Sequence, residues 1–138
     1  TNCFFYYLED KSKWRPNRKP SFSEEPFIMS EGATVTYSCI QIAAYMGFSE
    51  IILLGVDNNF PFGTRLNGEM IYNDVHSHFN NDYKSTVYIP TIDRINLAYE
   101  SAREYCDTHN IKILNATRGG RLDAFERVDF ESLFREKS

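Results

Sequence analysis

The chain has 138 residues, of which 42% are hydrophobic and 15% aromatic, with three cysteines and a formal net charge of -4. That length and apolar content describe one folded domain with a sizeable core and exclude a disordered chain. The acidic balance argues against non-specific nucleic-acid binding, so no nucleic-acid partner is expected.

The chain opens on a strand-like run over residues 3–8, Cys3-Phe4-Phe5-Tyr6-Tyr7-Leu8. So abrupt a start fits the C-terminal part of a larger nucleotide-binding domain. Residues 9–26 are polar, carry Pro16, Pro20 and Pro26, and read as a loop. The basic residues Lys11, Lys13, Arg15, Arg18 and Lys19 cluster there around Trp14. They form either a solvated loop or a flap that meets an anionic substrate.

Residues 27–57 form the most informative stretch. A short apolar strand, Phe27-Ile28-Met29, enters the polar turn Ser30-Glu31-Gly32-Ala33-Thr34. An apolar helix is expected over residues 34–47, with Gly47 as its C-terminal stop. The continuous run Ile51-Ile52-Leu53-Leu54 then suits a central parallel strand covered on both faces, ending in Gly55-Val56-Asp57. Together they make a βαβ unit whose first turn, at a helix N-terminus, offers unpaired N–H groups and the positive end of a dipole to an anion.

Residues 56–90 are long, polar and rich in Asn, Asp, Gly and His, as functional connections often are. Thr91 caps a second helix, running to about His109, whose apolar residues Ile92, Ile95, Ala98, Tyr99, Ala102, Tyr105 and Cys106 make a stripe. Asn110 closes it in the left-handed conformation. Ile111 to Leu114 is the next strand, Asn115 to Gly120 a loop, and Asp129 caps a short final helix, Phe130 to Arg135.

This order reads as an α/β fold, a Rossmann-like three-layer sandwich with a mainly parallel sheet, over a single domain of residues 1–138. The turns 30–36, 56–60 and 115–120 would then share the rim at the carboxyl ends of the strands, where ligands of such sheets bind. Cys39 and Cys106 fall in apolar helical patterns and are expected to be buried thiols, which suits a reducing cytoplasm. No stretch approaches a membrane span and no signal-peptide pattern is present, so a cytoplasmic location is expected.

Several residues on that rim carry chemistry. Ser30, Gly32, Thr34 and Thr36 could hold a phosphate through hydroxyls and bare N–H groups, or Ser30 and Thr34 could simply cap the helix. The turn matches neither a dinucleotide fingerprint nor a P-loop. Asp57 could orient a sugar hydroxyl, bind a metal or act as a base, and Asn58 and Asn59 could hydrogen-bond a ligand; the alternative is a turn-forming Asp-Asn pair. His76 and His78 stand in an HxH pair and could supply a general base near neutral pH, ligate a metal with Asp74 or Asp82, or be exposed loop residues. Tyr83 and Tyr88 could donate to phosphate oxygens or pack. Arg118, beside Gly119-Gly120, could approach an anion or lie on a surface turn. His109 reads as a helix-dipole partner.

The blocks Gly32-Ala33-Thr34-Val35-Thr36-Tyr37 and Ala43 to Asp57 resemble a bacterial and archaeal family that includes the flagellin motility accessory factors and the 6-hydroxymethylpterin diphosphokinase-like proteins. Asn115-Ala116-Thr117, Gly119-Gly120, Phe125 and Val128 to Phe134 look like its C-terminal signature, and His78-Phe79 with Asp82-Tyr83 like its His-bearing loop. The resemblance spans roughly residues 30–134. The central block is also similar to the bacterial sialyltransferases of the Campylobacter type, in which the helix N-terminus holds a CMP-sugar, tyrosines bind its phosphate and a histidine is the base. That similarity implies that Thr34 and Thr36 lie near the nucleotide, that His78 is the base and that Tyr83 and Tyr88 take the tyrosine roles. The Gly-rich nucleotide loop found earlier in that family's domain is absent from this chain.

The resemblance implies a glycosyltransferase using a nucleotide-activated sugar, with CMP-sugar favoured and a glycan or protein acceptor, in surface-glycan or flagellin modification. On that reading no metal or cofactor is needed. The alternatives are an ATP-dependent diphosphokinase, which needs Mg²⁺ on Asp57, Asp74 or Asp82, and a non-catalytic binding module.

Overall fold

A computed structural model of the chain describes residues 7–8, 18–22, 25, 28–73 and 89–135. They form a mixed α/β unit with a three-stranded parallel sheet and two helices. In chain order the elements are β1 (Tyr7–Leu8), β2 (Ile28–Met29), α1 (Val35–Tyr45), β3 (Glu50–Leu53), β4 (Phe62–Thr64), β5 (Met70–Tyr72), α2 (Ile92–Thr108), β6 (Lys112–Asn115) and β7 (Glu126–Arg127), followed by a 3-10 helix, Phe130–Phe134. No helix among the described residues is long and apolar enough to cross a membrane.

The helices begin and end where local chemistry places them. Thr34 caps α1, its hydroxyl accepting from the Thr36 amide at 3.4 Å. Gly47, at φ +83°, ends α1 in a Schellman turn: its amide bonds Ala44 O and the Phe48 amide bonds Ala43 O. Asn110 repeats the device behind α2, with φ +58° and the Ile111 amide on Cys106 O. Thr91 is the N-cap of α2 by position, but its hydroxyl faces Thr64 Oγ1 at 3.3 Å instead of a helix amide. Asp93 in the first turn of α2 suits the dipole and also holds Arg65 at 2.8 Å.

β3 and β6 pair in parallel, Ile51 opposite Ile113 and Leu53 opposite Asn115, and β7 continues the sheet beyond β6. The face carrying Leu53 and Ile113 packs on both helices. Tyr37 and Ile40 of α1, Ile95, Ala98, Tyr99, Ala102 and Cys106 of α2, and Leu122 and Phe125 join it in one core. Each large side chain removed from water there contributes roughly 1.5–3 kcal/mol. The stripe predicted for α2 is thus its buried face.

Four expectations are corrected. Among the described residues β3 is not the central strand: in the order β3-β6-β7 it lies at an edge, and Ile52 and Leu54, on its other face, are exposed. Among the described residues β2 pairs with β1 in a ladder of its own, whereas β3 pairs with β6, so there β2 and β3 are not adjacent strands of one sheet. Cys39 is exposed while Cys106 is buried. Cys39 shares the outer side of α1 with Val35, Ile42 and Met46 at helical spacing, and only Tyr37, Ser38, Ile40 and Gln41 turn inward. Residues 56–90, expected as a long connection without clear structure, contain the antiparallel hairpin β4–β5, and β7 is a strand beyond those expected.

Two buried acids make the core sensitive to alkali. Burial pushes the Tyr37 phenol from its usual value near 10 up to about 12, against a smaller opposing pull from the hydrogen bond with Ser101. Burial likewise pushes the Cys106 thiol from near 9 up to about 11. Both hold their protons more tightly folded than unfolded. Their stabilisation is complete below about pH 9 and is lost as pH rises through the folded values. The urea midpoint is therefore expected to fall between pH 9 and 12, and Tyr37→Phe to flatten the fall above pH 10. An unchanged slope in that variant would rule out Tyr37 as a cause.

Candidate functional site

The carboxyl ends of β3 and β6 open into one cleft of about 470 Å³, lined by Leu54, Gly55, Asp57, Ala116, Thr117, Arg118 and Phe130. The parallel ladder creates it, because paired strands release their following loops side by side. The Ala116 amide bonds Leu53 O at 3.0 Å, one step beyond the strands, and the Val56 amide bonds Thr117 Oγ1 at 3.0 Å.

Side chains, not further strand pairing, then hold the two loops in shape. Asn115 is fully buried; its Nδ2 donates to Leu122 O at 3.1 Å and its Oδ1 accepts from the Thr117 amide at 3.0 Å. Arg127 donates from Nη1 to Gly119 O at 2.7 Å. The Arg121 amide bonds Asp57 O at 2.6 Å, and its guanidinium reaches Asn73 Oδ1 at 2.7 Å. Asn73 in turn donates to Phe60 O at 2.8 Å. Gly120, at φ +81°, lies so close that a Cβ there would sit 2.5 Å from Asp57 O.

Asp57 is exposed at the cleft, and its Oδ1 accepts from the Asn59 amide at 3.3 Å, the turn-forming contact that was one of its alternatives. Asn58 takes a left-handed conformation, φ +49°, and donates to Asn96 Oδ1 of α2 at 2.9 Å. The Oδ1 atoms of Asn58 and Asn59 are buried without a hydrogen-bond partner. Arg118 lines the cleft, donates to Glu131 Oε1 at 2.9 Å, and lies with its guanidinium 5.9 Å from the centre of the Phe130 ring.

The turn before α1 does not line this cleft. Ser30 is buried, and its backbone N and O bond the Gln41 amide at 3.2 and 2.9 Å. A Cβ at Gly32 would overlap the Tyr37 ring. Thr34 and Thr36 form the cap described above. The structure thus joins two of the three expected turns, bringing Asp57 and Arg118 together, and leaves Ser30, Gly32, Thr34 and Thr36 outside that cleft.

His76, His78, Tyr83 and Tyr88 lie outside the described residues, as do Asp74, Asp82 and most of the basic run. Lys19, the end of that run, bridges Glu104 and Glu100 of α2 at 2.5 and 3.3 Å. The hydrogen bond with Glu104 leads in raising its pKa. Its ammonium is committed to carboxylates of this chain, not to an anionic ligand. His109 contacts Tyr105 O at 2.8 Å through Nδ1 and stacks on the Tyr105 ring, which agrees with a role at the helix terminus.

Asn115 and Gly120 lie in the 115–120 loop expected on the rim, but no role in shaping the cleft is expected for them from the sequence, nor for Arg121, Arg127 or Phe130. The Gly119-Gly120 pair and a polar Asn closing an apolar strand were the available signals. Among the described residues no group of three His, Cys, Asp or Glu side chains is placed to hold a metal ion. No family model, curated protein or solved structure matches the chain.

Proposed function

We propose that this chain belongs to a cytoplasmic glycosyltransferase that uses a nucleotide-activated sugar, CMP-sugar first, in modifying a surface glycan or flagellin. The fold would be a Rossmann-like three-layer sandwich that includes the α/β unit described here. One observation supports this reading above others. Parallel β3 and β6 end in a common cleft that gathers a carboxylate, a hydroxyl and a guanidinium over apolar walls, in the position where open α/β sheets take ligands.

The proposed reaction is an inverting displacement. His78, or His76, takes the proton of the acceptor hydroxyl. The acceptor oxygen bonds to the anomeric carbon as the bond from that carbon to the nucleotide phosphate oxygen breaks, and the electron pair leaves with CMP. The Ser30–Thr36 turn, Tyr83 and Tyr88 hold the nucleotide, while Asn58 shapes the Asp57 loop through α2.

Thermal shift against CMP, CDP, UDP, GDP and ATP, each with and without Mg²⁺, tests the reading. CMP is expected to stabilise the protein without metal, by about 2.7 kcal/mol at a hundred times its Kd. A shift with ATP that depends on Mg²⁺, and none with CMP, would replace the reading with the diphosphokinase. No shift with any nucleotide would favour a non-catalytic module.

A further inference from the structure

The charges around the β3–β6 cleft divide its labour from that of the nucleotide turn. Arg118 is the one cation among the described residues lining it, and Glu131 already answers that charge at 2.9 Å. Asp57 adds a carboxylate whose Oδ2 accepts no hydrogen bond from any described residue. A phosphate entering here would face the Asp57 carboxylate, and the one guanidinium lining the cleft is shared with Glu131. A cation would find only one lining carboxylate, with a guanidinium beside it.

A neutral polyhydroxyl ring meets none of these objections. Leu54, Ala116 and Phe130 offer an apolar wall to its C–H face. The free oxygen of Asp57 accepts from hydroxyls, and the guanidinium of Arg118 donates to them, in charge-assisted hydrogen bonds. About 470 Å³ is room for one ring and its substituents.

We infer that this cleft is a carbohydrate subsite, seating a neutral pyranose ring between the Phe130 side and the Asp57 carboxylate. Within the transferase reading, on which it rests, it is the subsite of a sugar and not of a phosphate. Arg118 is thereby a sugar-binding residue, in place of the anion-binding role that was one of its alternatives beside Gly119-Gly120.

Titrating the full ¹⁵N-labelled chain separately with methyl β-D-galactopyranoside, methyl β-D-glucopyranoside, inorganic phosphate, CMP and 6-hydroxymethylpterin tests this. At least one glycoside is expected to move the amide signals of Gly55, Asp57, Thr117 and Arg118, and Asp57→Asn to weaken it tenfold or more. Glu131→Gln, which unpairs Arg118, is expected to leave phosphate unbound at the cleft. Silence with both glycosides overturns the inference. So does phosphate or CMP moving these signals more strongly in Glu131→Gln, or the pterin moving them in place of a sugar. CMP perturbing only residues elsewhere, with a glycoside in the cleft, upholds both the subsite and the transferase. A glycoside response with no CMP response anywhere upholds the subsite and overturns the transferase.

Discussion

Replacing Gly120 by alanine is expected to lower stability by about 3 kcal/mol or more, while the same change at Gly119 costs about 1 kcal/mol. Both glycines have positive φ, +81° and +69°, so both variants carry the left-handed strain of a side chain. Only at Gly120 does the new Cβ meet backbone, 2.5 Å from Asp57 O and 2.7 Å from Asp57 Cα. Nothing lies within 4 Å of a Cβ at Gly119. The overlap cannot be relieved by turning a side chain. One of the two rim loops must move, and with it the Arg121 amide bond to Asp57 O. Urea denaturation followed by circular dichroism measures the difference. Equal midpoints for the two variants would show that the loops do not touch as described.

His78→Ala is expected to reduce sugar transfer by roughly 10²–10⁴-fold, the usual contribution of a positioned base, while the thermal shift with CMP persists. Under the proposed mechanism the histidine acts on the acceptor hydroxyl and the nucleotide is held elsewhere, so binding and turnover separate. His76→Ala and Asp57→Asn are the comparisons that assign the proton. If His78→Ala transfers within a few-fold of the parent and His76→Ala does not, the base is His76. A loss in Asp57→Asn assigns the proton to Asp57 only if it persists at saturating sugar, since that carboxylate is also placed on the sugar. Loss of CMP binding in His78→Ala would instead place the histidine on the nucleotide.

The outline of the fold was legible because two signals have strong physical causes. The apolar spacing of Ile95, Ala98, Tyr99, Ala102 and Cys106 admits only a helix with one buried face, and that face is the one in the core. The runs around Ile52 and Ile113 lie in paired parallel strands. Their ends marked Asp57 and Arg118 as neighbours before any coordinate did. Local chemistry was less well read. Asn67-Gly68 between Phe62–Thr64 and Met70–Tyr72 is a hairpin signal, hidden because its strands are three residues long and sit in a polar stretch. An apolar pattern on most sides of α1 could not say which side faces in, so Cys39 was placed inside. The ladder order was also out of reach, since a continuous apolar strand reads alike whether central or at an edge. The cleft's own scaffold was missed for a different reason. Asn115 and Arg127 bond backbone carbonyls seven and eight positions away, Arg121 bonds the Asn73 side chain 48 positions away, and such partners leave no periodicity to read.

The carbonyl of Pro20 accepts from Ser101 at 2.7 Å and from Tyr37 at 3.5 Å, so one atom of the early chain closes a junction between α1 and α2. Lys19 adds its bridges to Glu100 and Glu104 beside it. The Pro20–Ser101 bond spans 81 positions in sequence, and the entropy of closing so large a loop must be met before that bond returns anything. The helices and the hairpin can form from neighbours alone, whereas this junction waits for two segments 81 positions apart to meet. It is therefore expected to form on the late side of the folding barrier, so that Ser101→Ala hastens unfolding more than it slows folding in stopped-flow measurements.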